Sequence, residues 1–210
     1  MKIEIINTSG AKTGKSVELH DDIFGIEPNE HAMYLAVKQF LANQRQGTHK
    51  AKEKGETAGS TRKLHRQKGT GGSRKGSIKN PLFHGGGTIF GPRPRDYGFK
   101  LNRKVKELAR RSALSQKAKE NSILIVEDFS IDKPSTKSMH GILKNIGADK
   151  KRTLLVTEKN DPQISLSGRN LPKTEIISAD ALNTYAVMKA QQLVFTAGAA
   201  NAINQTAENN

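Results

Sequence analysis

The chain has no cysteine and no tryptophan, and aromatic residues make up only 5% of its 210 positions. Without cysteine there is neither a disulfide framework nor a thiolate metal site, which suits a reducing compartment. No apolar run approaches the roughly 20 residues that a membrane-spanning helix needs. The opening residues, MKIEIINTSG, alternate like a strand. They lack the apolar core of a signal peptide and the Arg/Ser richness of a transit peptide. Hydrophobic residues are scarce as well, at 34%, but the deficit is local. Between Gly47 and Ser77 the only large apolar residue is Leu64.

Acids are scarce in the same place. From Asn43 to Arg111 there are 19 Lys+Arg against four acids, Glu53, Glu56, Asp96 and Glu107. The remaining 141 residues balance 16 basic against 16 acidic side chains, so the whole net charge of +15 sits in one stretch. A neutral body with a concentrated basic insert is suited to a polyanion. Nucleic acid is the commonest such partner, because each neutralised phosphate releases condensed counterions.

Length favours a single domain, residues 1–210, with an extension inserted in it. Lys2–Asn7 reads as a strand paired with Ser16–Leu19 across a turn. A helix opens at Pro28–Asn29 and runs to about Arg45, with Met33, Val37, Phe40, Leu41 and Gln44 on one face. Periodicity then stops. Residues 46–100 show no sustained pattern and hold twelve of the 19 glycines, as expected of a functional or disordered segment. Order returns at Leu101. Leu101, Val105, Leu108, Ala109 and Ser112 form one helical stripe, and Arg103, Lys106, Arg110 and Lys117 form another. The basic stripe reads equally well as a solvated face or as a phosphate contact.

Beyond it, strands at Ile123–Glu127, Thr153–Thr157, Glu175–Ser178 and Leu193–Thr196 alternate with helices near Ser135–Ile146, Pro162–Gly168 and Ala181–Tyr185. A last helical turn follows. The strands are short continuous apolar runs, as in parallel strands buried on both faces. The expected fold class is α/β: a mostly parallel open sheet with helices on its faces, plus a long, basic, glycine-rich extended loop. Residues 199–210 are polar and are expected to fray.

Several motifs suggest chemistry and lead elsewhere. Gly10-Ala-Lys-Thr-Gly14-Lys15-Ser16 resembles a phosphate-binding loop, but it is one residue short between its glycines and leads into strand-like sequence. A hairpin turn is the better reading. His49, His65 and His84 fit no zinc spacing, so no metal is expected. Asp128, at a strand end, reads as a turn or helix cap rather than a catalytic carboxylate. No cofactor fingerprint is present, so neither a cofactor nor catalysis is expected.

The loop carries chemistry of its own. Arg62, Lys63, Arg66, Lys68, Arg74, Lys75 and Lys79 are interleaved with Gly, Ser and Thr. Guanidinium groups bridge phosphates or stack on bases, glycine lets backbone approach closely, and hydroxyls bond phosphate and 2′-OH. Phe83, Phe90, Tyr97 and Phe99, with the stiff Gly91-Pro92-Arg93-Pro94-Arg95, point to specific packing of the second limb.

The runs Gln44-Arg45-Gln46-Gly47-Thr48-His49-Lys50, Arg66-Gln67-Lys68-Gly69-Thr70-Gly71 and Gly76-Ser77-Ile78 resemble the L-four family of bacterial large-subunit ribosomal proteins. The similarity continues through Gly85-Gly86-Gly87, Phe90-Gly91-Pro92-Arg93-Pro94-Arg95-Asp96-Tyr97, Arg111-Ser112-Ala113-Leu114-Ser115 and Arg169-Asn170-Leu171. It spans nearly the whole chain in collinear order.

The resemblance implies a structural, non-enzymatic protein of the cytoplasmic ribosome. It implies a primary binder of several domains of large-subunit ribosomal RNA, acting early in assembly. Neighbouring ribosomal proteins and the nascent peptide are the further partners it implies, with no membrane and no homo-oligomer. RNA-binding residues are expected at Arg45, Thr48, His49, Lys50, Lys52, Lys54, Arg62, Lys63, His65, Arg66, Gln67, Lys68, Thr70, Arg74, Lys75, Ser77, Lys79, His84, Arg93, Arg95, Arg103, Lys106 and Arg110. The loop tip, Arg62, Lys63, Leu64, His65, Arg66, Gln67, Lys68, Gly69, Thr70, Gly71, Gly72, Ser73 and Arg74, is expected to line the polypeptide exit tunnel, near where macrolide antibiotics bind. Two limbs of about 27 residues at about 3.3 Å each reach up to roughly 90 Å.

The chain departs from that family at Leu64-His65, where Pro-Trp is usual, at Gly72-Ser73 for Arg-Ala, and at His84 for Arg. Those departures remove an indole stacking platform and two guanidinium groups. Two other readings compete: an RNA-modifying α/β enzyme with a basic guide loop, and a nucleic-acid-binding protein outside the ribosome. The first needs a cofactor fingerprint at a strand's C-terminal end. The second shares the composition but not the collinear motifs.

Overall fold

The computed structural model describes residues 1–208. It divides into two compact units, Met1–Phe40 with the chain from Lys100 onward, and Leu41–Phe99.

The first unit is built on a six-stranded sheet. Its strands are β1 (Lys2–Ile6), β2 (Lys12–Glu18), β3 (Ile123–Val126), β4 (Thr153–Thr157), β5 (Thr174–Ser178) and β6 (Gln192–Thr196), in the order β2-β1-β3-β6-β4-β5. Only the β1–β2 hairpin is antiparallel, and every other pairing is parallel. This is the expected α/β class.

Strand alternation explains the core. Ile123, Ile125, Leu154, Val156, Leu193 and Phe195 point to one face and join one apolar cluster. Val126, Leu155 and Val194, the residues between, point to the other face and join a second cluster. Helices α1 (Asp21–Phe24), α3 (Arg103–Lys119), α6 (Thr184–Lys189) and α7 (Ala197–Glu208) supply the first cluster, and Phe24 meets Phe195 edge to face at 6.3 Å. Helices α4 (Thr136–Asn145) and α5 (Pro162–Arg169) cover the second through Met139, Leu143 and Ile164. Burying a side chain such as Phe195 stabilises by about 1.5–3 kcal/mol. β5 lies at the sheet edge and is half-buried throughout, so its apolar run does not reflect burial on both faces.

Local chemistry sets the helix starts. Asn29 caps α2 (Glu30–Asn43) by accepting from Ala32 N at 2.9 Å, and Asp161 caps α5 at 2.8 Å ahead of Pro162. Asn183 caps α6 at 2.8 Å. The single helix expected near Ala181–Tyr185 is therefore two pieces, a 3-10 turn Ala179–Ala181 and α6. The phosphate-loop look-alike is part of the hairpin: Gly10 turns with φ +88, and Lys12–Ser16 already lie in β2.

Three further expectations are corrected. On α2 the buried residues are Ala32, Met33 and Gln39, whereas Leu41 and Gln44 are exposed and the helix ends at Asn43. The helix has turned its apolar stripe away from the core by its last turn, where the first unit ends. Lys117 does not share the exposed face of Arg103 and Lys106. The C-terminal half of α3 is buried nearly all round, and Lys117 lies within it, 3.4 Å from Glu120.

The tail does not fray from Ala199. Residues to Glu208 form α7, and Ala199, Ala200 and Ile203 are buried in the first cluster. Its start is fixed by Asp128, whose Oδ1 accepts the Gly198 N–H at 2.9 Å. A polar average concealed an apolar stripe at 3–4 spacing. Asn209 and Asn210, also part of the expected frayed tail, lie outside the described residues.

Candidate nucleic-acid interface

The second unit has few apolar side chains, so its backbone must be held by other means. Among the described residues, no helix or strand lies between Asn43 and Arg103. Backbone hydrogen bonds tie its two limbs instead: Arg95 N to Gly47 O (3.2 Å), Ala51 N to Pro92 O (3.0 Å) and Thr88 N to Lys52 O (2.9 Å). Leu64 N donates to Gly76 O at 3.2 Å farther out. Gly47 is required at its rung. Its φ is +66, and a Cβ there would collide with the Arg95 carbonyl.

This frame displays cations. Arg45, Thr48, His49, Lys50, Lys52, Lys54, Arg93 and Arg95 are exposed, as are His84 and every residue from Arg62 to Lys75. Lys79 is half-buried. Ser77 is buried, and its carbonyl accepts from Asn80 N at 3.1 Å. At the tip, Lys63 donates to Gln67 Oε1, and Gly69 and Gly71 both have positive φ. Arg62, Lys63, Leu64, His65 and Arg66 border one open cleft with Ser60 and Ile78.

The few acids of the basic stretch are occupied. Glu53 accepts from Arg93 Nε at 2.6 Å, and Glu56 pairs with Lys50. The Lys50 hydrogen bond, aided by the Glu53 N–H, holds the Glu56 carboxyl below its ordinary pKa. Asp96 accepts the Gly98 N–H at 2.8 Å. The acids thus brace the segment, and what faces outward is overwhelmingly positive.

Tyr97 organises the base of the segment. Arg45 lies over its ring at 3.7 Å from the centroid and Arg95 at 4.4 Å, while its hydroxyl meets His49 Nε2 at 3.0 Å. Three candidate RNA-binding residues are therefore gathered by a tyrosine that the sequence marked only as a packing residue. The available signal was the Arg-x-Tyr spacing of Arg95 and Tyr97. Of the aromatics expected to pack, Phe83, Tyr97 and Phe99 are half-buried, but Phe90 is fully exposed with φ +54. A non-glycine residue in that region costs on the order of 1–3 kcal/mol.

In the first unit, α3 exposes Arg103 and Lys106 and half-buries Arg110. Arg103 donates to Glu107 at 2.7 Å, which lowers the Glu107 pKa. Arg111, absent from the expected set, borders two clefts, one shared with Arg110 and Asp180 and one with Lys104 and Glu107. Asp128 is occupied as a helix cap.

Chemically the arrangement can neutralise and orient phosphates over a broad surface. Residues 17–206 match the model of the family described as "Ribosomal protein L4/L1 family". The chain is 56% identical over 206 residues to large ribosomal subunit protein uL4 of Parabacteroides distasonis, covering 98% of each chain. It is 54% identical over 203 residues to that of Cytophaga hutchinsonii, covering 97% of this chain and 98% of the other. The protein of the same name from Chlorobium phaeobacteroides is 50% identical over 206 residues, covering 98% of this chain and 99% of the other.

Proposed function

Since the chain belongs to the ribosomal protein L4/L1 family, we propose that residues 46–100 form the extension by which it grips large-subunit ribosomal RNA early in assembly. The coarser function follows from the family: the protein is a structural constituent of the bacterial large ribosomal subunit in the cytoplasm, associated with ribosomal RNA and other ribosomal proteins, and not an enzyme. Among the described residues, no helix is long and apolar enough to cross a membrane.

The finer reading is that the basic segment contacts several RNA domains. Its tip, Arg62 to Arg74, borders the polypeptide exit tunnel and meets the nascent peptide. No second copy of the chain is needed. The charge partition carries this reading: +15 within Asn43–Arg111 and zero elsewhere. Its support is the exposure of nearly all those cations while the acids among them are turned to internal bonds.

The test is the salt dependence of RNA binding. Replacing Gly47–Lys100 with a short linker should leave a folded body and flatten the slope of log affinity against log salt, because fewer counterions are released. An unchanged slope would put the RNA site on the remaining residues and refute the reading.

A further inference from the structure

Phe90 is fully exposed and has φ +54, a region that bulky residues rarely adopt. Its position is fixed by its neighbours. Thr88 N donates to Lys52 O at 2.9 Å on one side, and Pro92 O accepts from Ala51 N at 3.0 Å on the other. Between these rungs Gly91 is tucked against the opposite limb, where an added Cβ would come within 2.5 Å of Ala51 Cβ. Residues 89–91 are therefore a pinned apex, and the phenyl ring is held in solvent.

The surroundings indicate what covers it. The cleft beside Phe90 is lined by Lys54, Arg93, Thr88, Ile89 and Glu53. The one acid is neutralised by Arg93, at 2.6 Å from Nε. An exposed apolar ring with the exposed Lys54 beside it suits a partner with a flat apolar face and anionic edges. An unpaired nucleotide has both, and bases stack on aromatic side chains whatever their sequence. A purely apolar protein pocket would leave Lys54 without a counterpart.

We infer that Phe90 is a stacking platform for an unpaired base of large-subunit ribosomal RNA. The inference rests on the RNA-binding reading of the basic segment and adds a contact that charge does not supply. It also offers an aromatic platform in a chain whose tip has His65 and no tryptophan.

The test uses the full chain and a large-subunit RNA transcript. Phe90→Leu keeps apolar bulk and removes the ring, and Phe90→Tyr keeps the ring. Because the side chain is exposed, neither should alter folding, which thermal melting checks. Phe90→Leu should weaken binding about tenfold. Its salt slope should stay that of wild type, since no phosphate contact is lost. Phe90→Tyr should bind like wild type, and ultraviolet crosslinking should place RNA on the peptide carrying residue 90.

Wild-type affinity for Phe90→Leu, or equal losses in both variants, would overturn the inference. So would intact RNA affinity with failure only at incorporation beside other subunit proteins, because the ring would then fill a protein pocket. These outcomes leave the RNA-binding reading standing as long as wild type keeps its steep salt dependence. A flat wild-type slope would remove both.

Discussion

The Arg45 guanidinium lies 3.7 Å from the centroid of the Tyr97 ring, which joins residues 52 positions apart at the base of the basic segment. Arg95 approaches the same ring at 4.4 Å, so the two guanidinium carbons stay within about 8 Å of each other. A stacked guanidinium keeps its edge N–H groups free for phosphate. Tyr97 thus positions both guanidinium groups.

Replacing that ring should be felt as lost preorganisation. Tyr97→Leu should weaken RNA binding several-fold, because each exposed cation–π contact is worth about 0.5–1 kcal/mol. Tyr97→Phe keeps the ring, loses only the His49 contact, and should stay close to wild type. Filter binding at one fixed salt concentration measures both. Equal effects would show that the hydroxyl, and not the ring, matters.

Root and tip of the segment should fail differently. Lys68→Glu reverses an exposed tip charge and should change macrolide response with little loss of assembled subunits. Arg45→Glu removes a guanidinium held on Tyr97 and should impair assembly. Sedimentation profiles and growth with and without the drug separate the two. A Lys68→Glu strain identical to wild type in drug response would contradict the tunnel assignment.

Glu56 should act as a brake on RNA binding. Glu56→Gln removes one negative charge and releases Lys50, so the salt slope should steepen by about one unit. Wild-type Glu56 should titrate below an ordinary glutamate, because the Lys50 hydrogen bond favours its charged form. Its bracing effect is then present above the ordinary glutamate pKa and fades as pH falls through the lowered value. Carboxyl NMR titration gives the midpoint. A midpoint at or above the ordinary value would exclude the pair in solution.

The end of the chain should be part of the folding unit. Asp128→Ala removes the acceptor at the start of α7 and should cost about 0.5–2 kcal/mol in urea unfolding. Stopping the chain after Thr196 deletes the buried Ala199, Ala200 and Ile203, and should cost several kcal/mol or prevent folding. A truncated chain as stable as the full one would restore the frayed-tail expectation.

Much of the fold was legible because its signals are local. Four apolar runs with helical spacers marked β3 to β6, and the failure of periodicity after about Arg45 marked the stretch without regular structure. The α7 stripe was missed because Ala199, Ala200 and Ile203 precede a polar run and find most of their apolar partners in strands and helices far from them in sequence. Lys117 was assigned to the wrong surface because helical spacing gives a direction but not which neighbouring helices surround it. Ser77 and Phe90 differ in burial from the sequence expectation for a similar reason. A serine is buried where a turn needs it, and a phenylalanine is exposed where two backbone rungs pin the apex.

The sequence by itself determined the fold class, the family and the place where positive charge is concentrated. Those properties reside in composition, periodicity and motif order, which do not depend on contacts between distant residues. Tertiary structure alone decided that Tyr97 gathers Arg45, Arg95 and His49, that Asp128 starts α7, and that the acids of the basic stretch are turned to internal bonds. These pairings join residues tens of positions apart or depend on which side chains the folded backbone brings together. Only that backbone sets the few ångströms over which hydrogen bonds and cation–π contacts act.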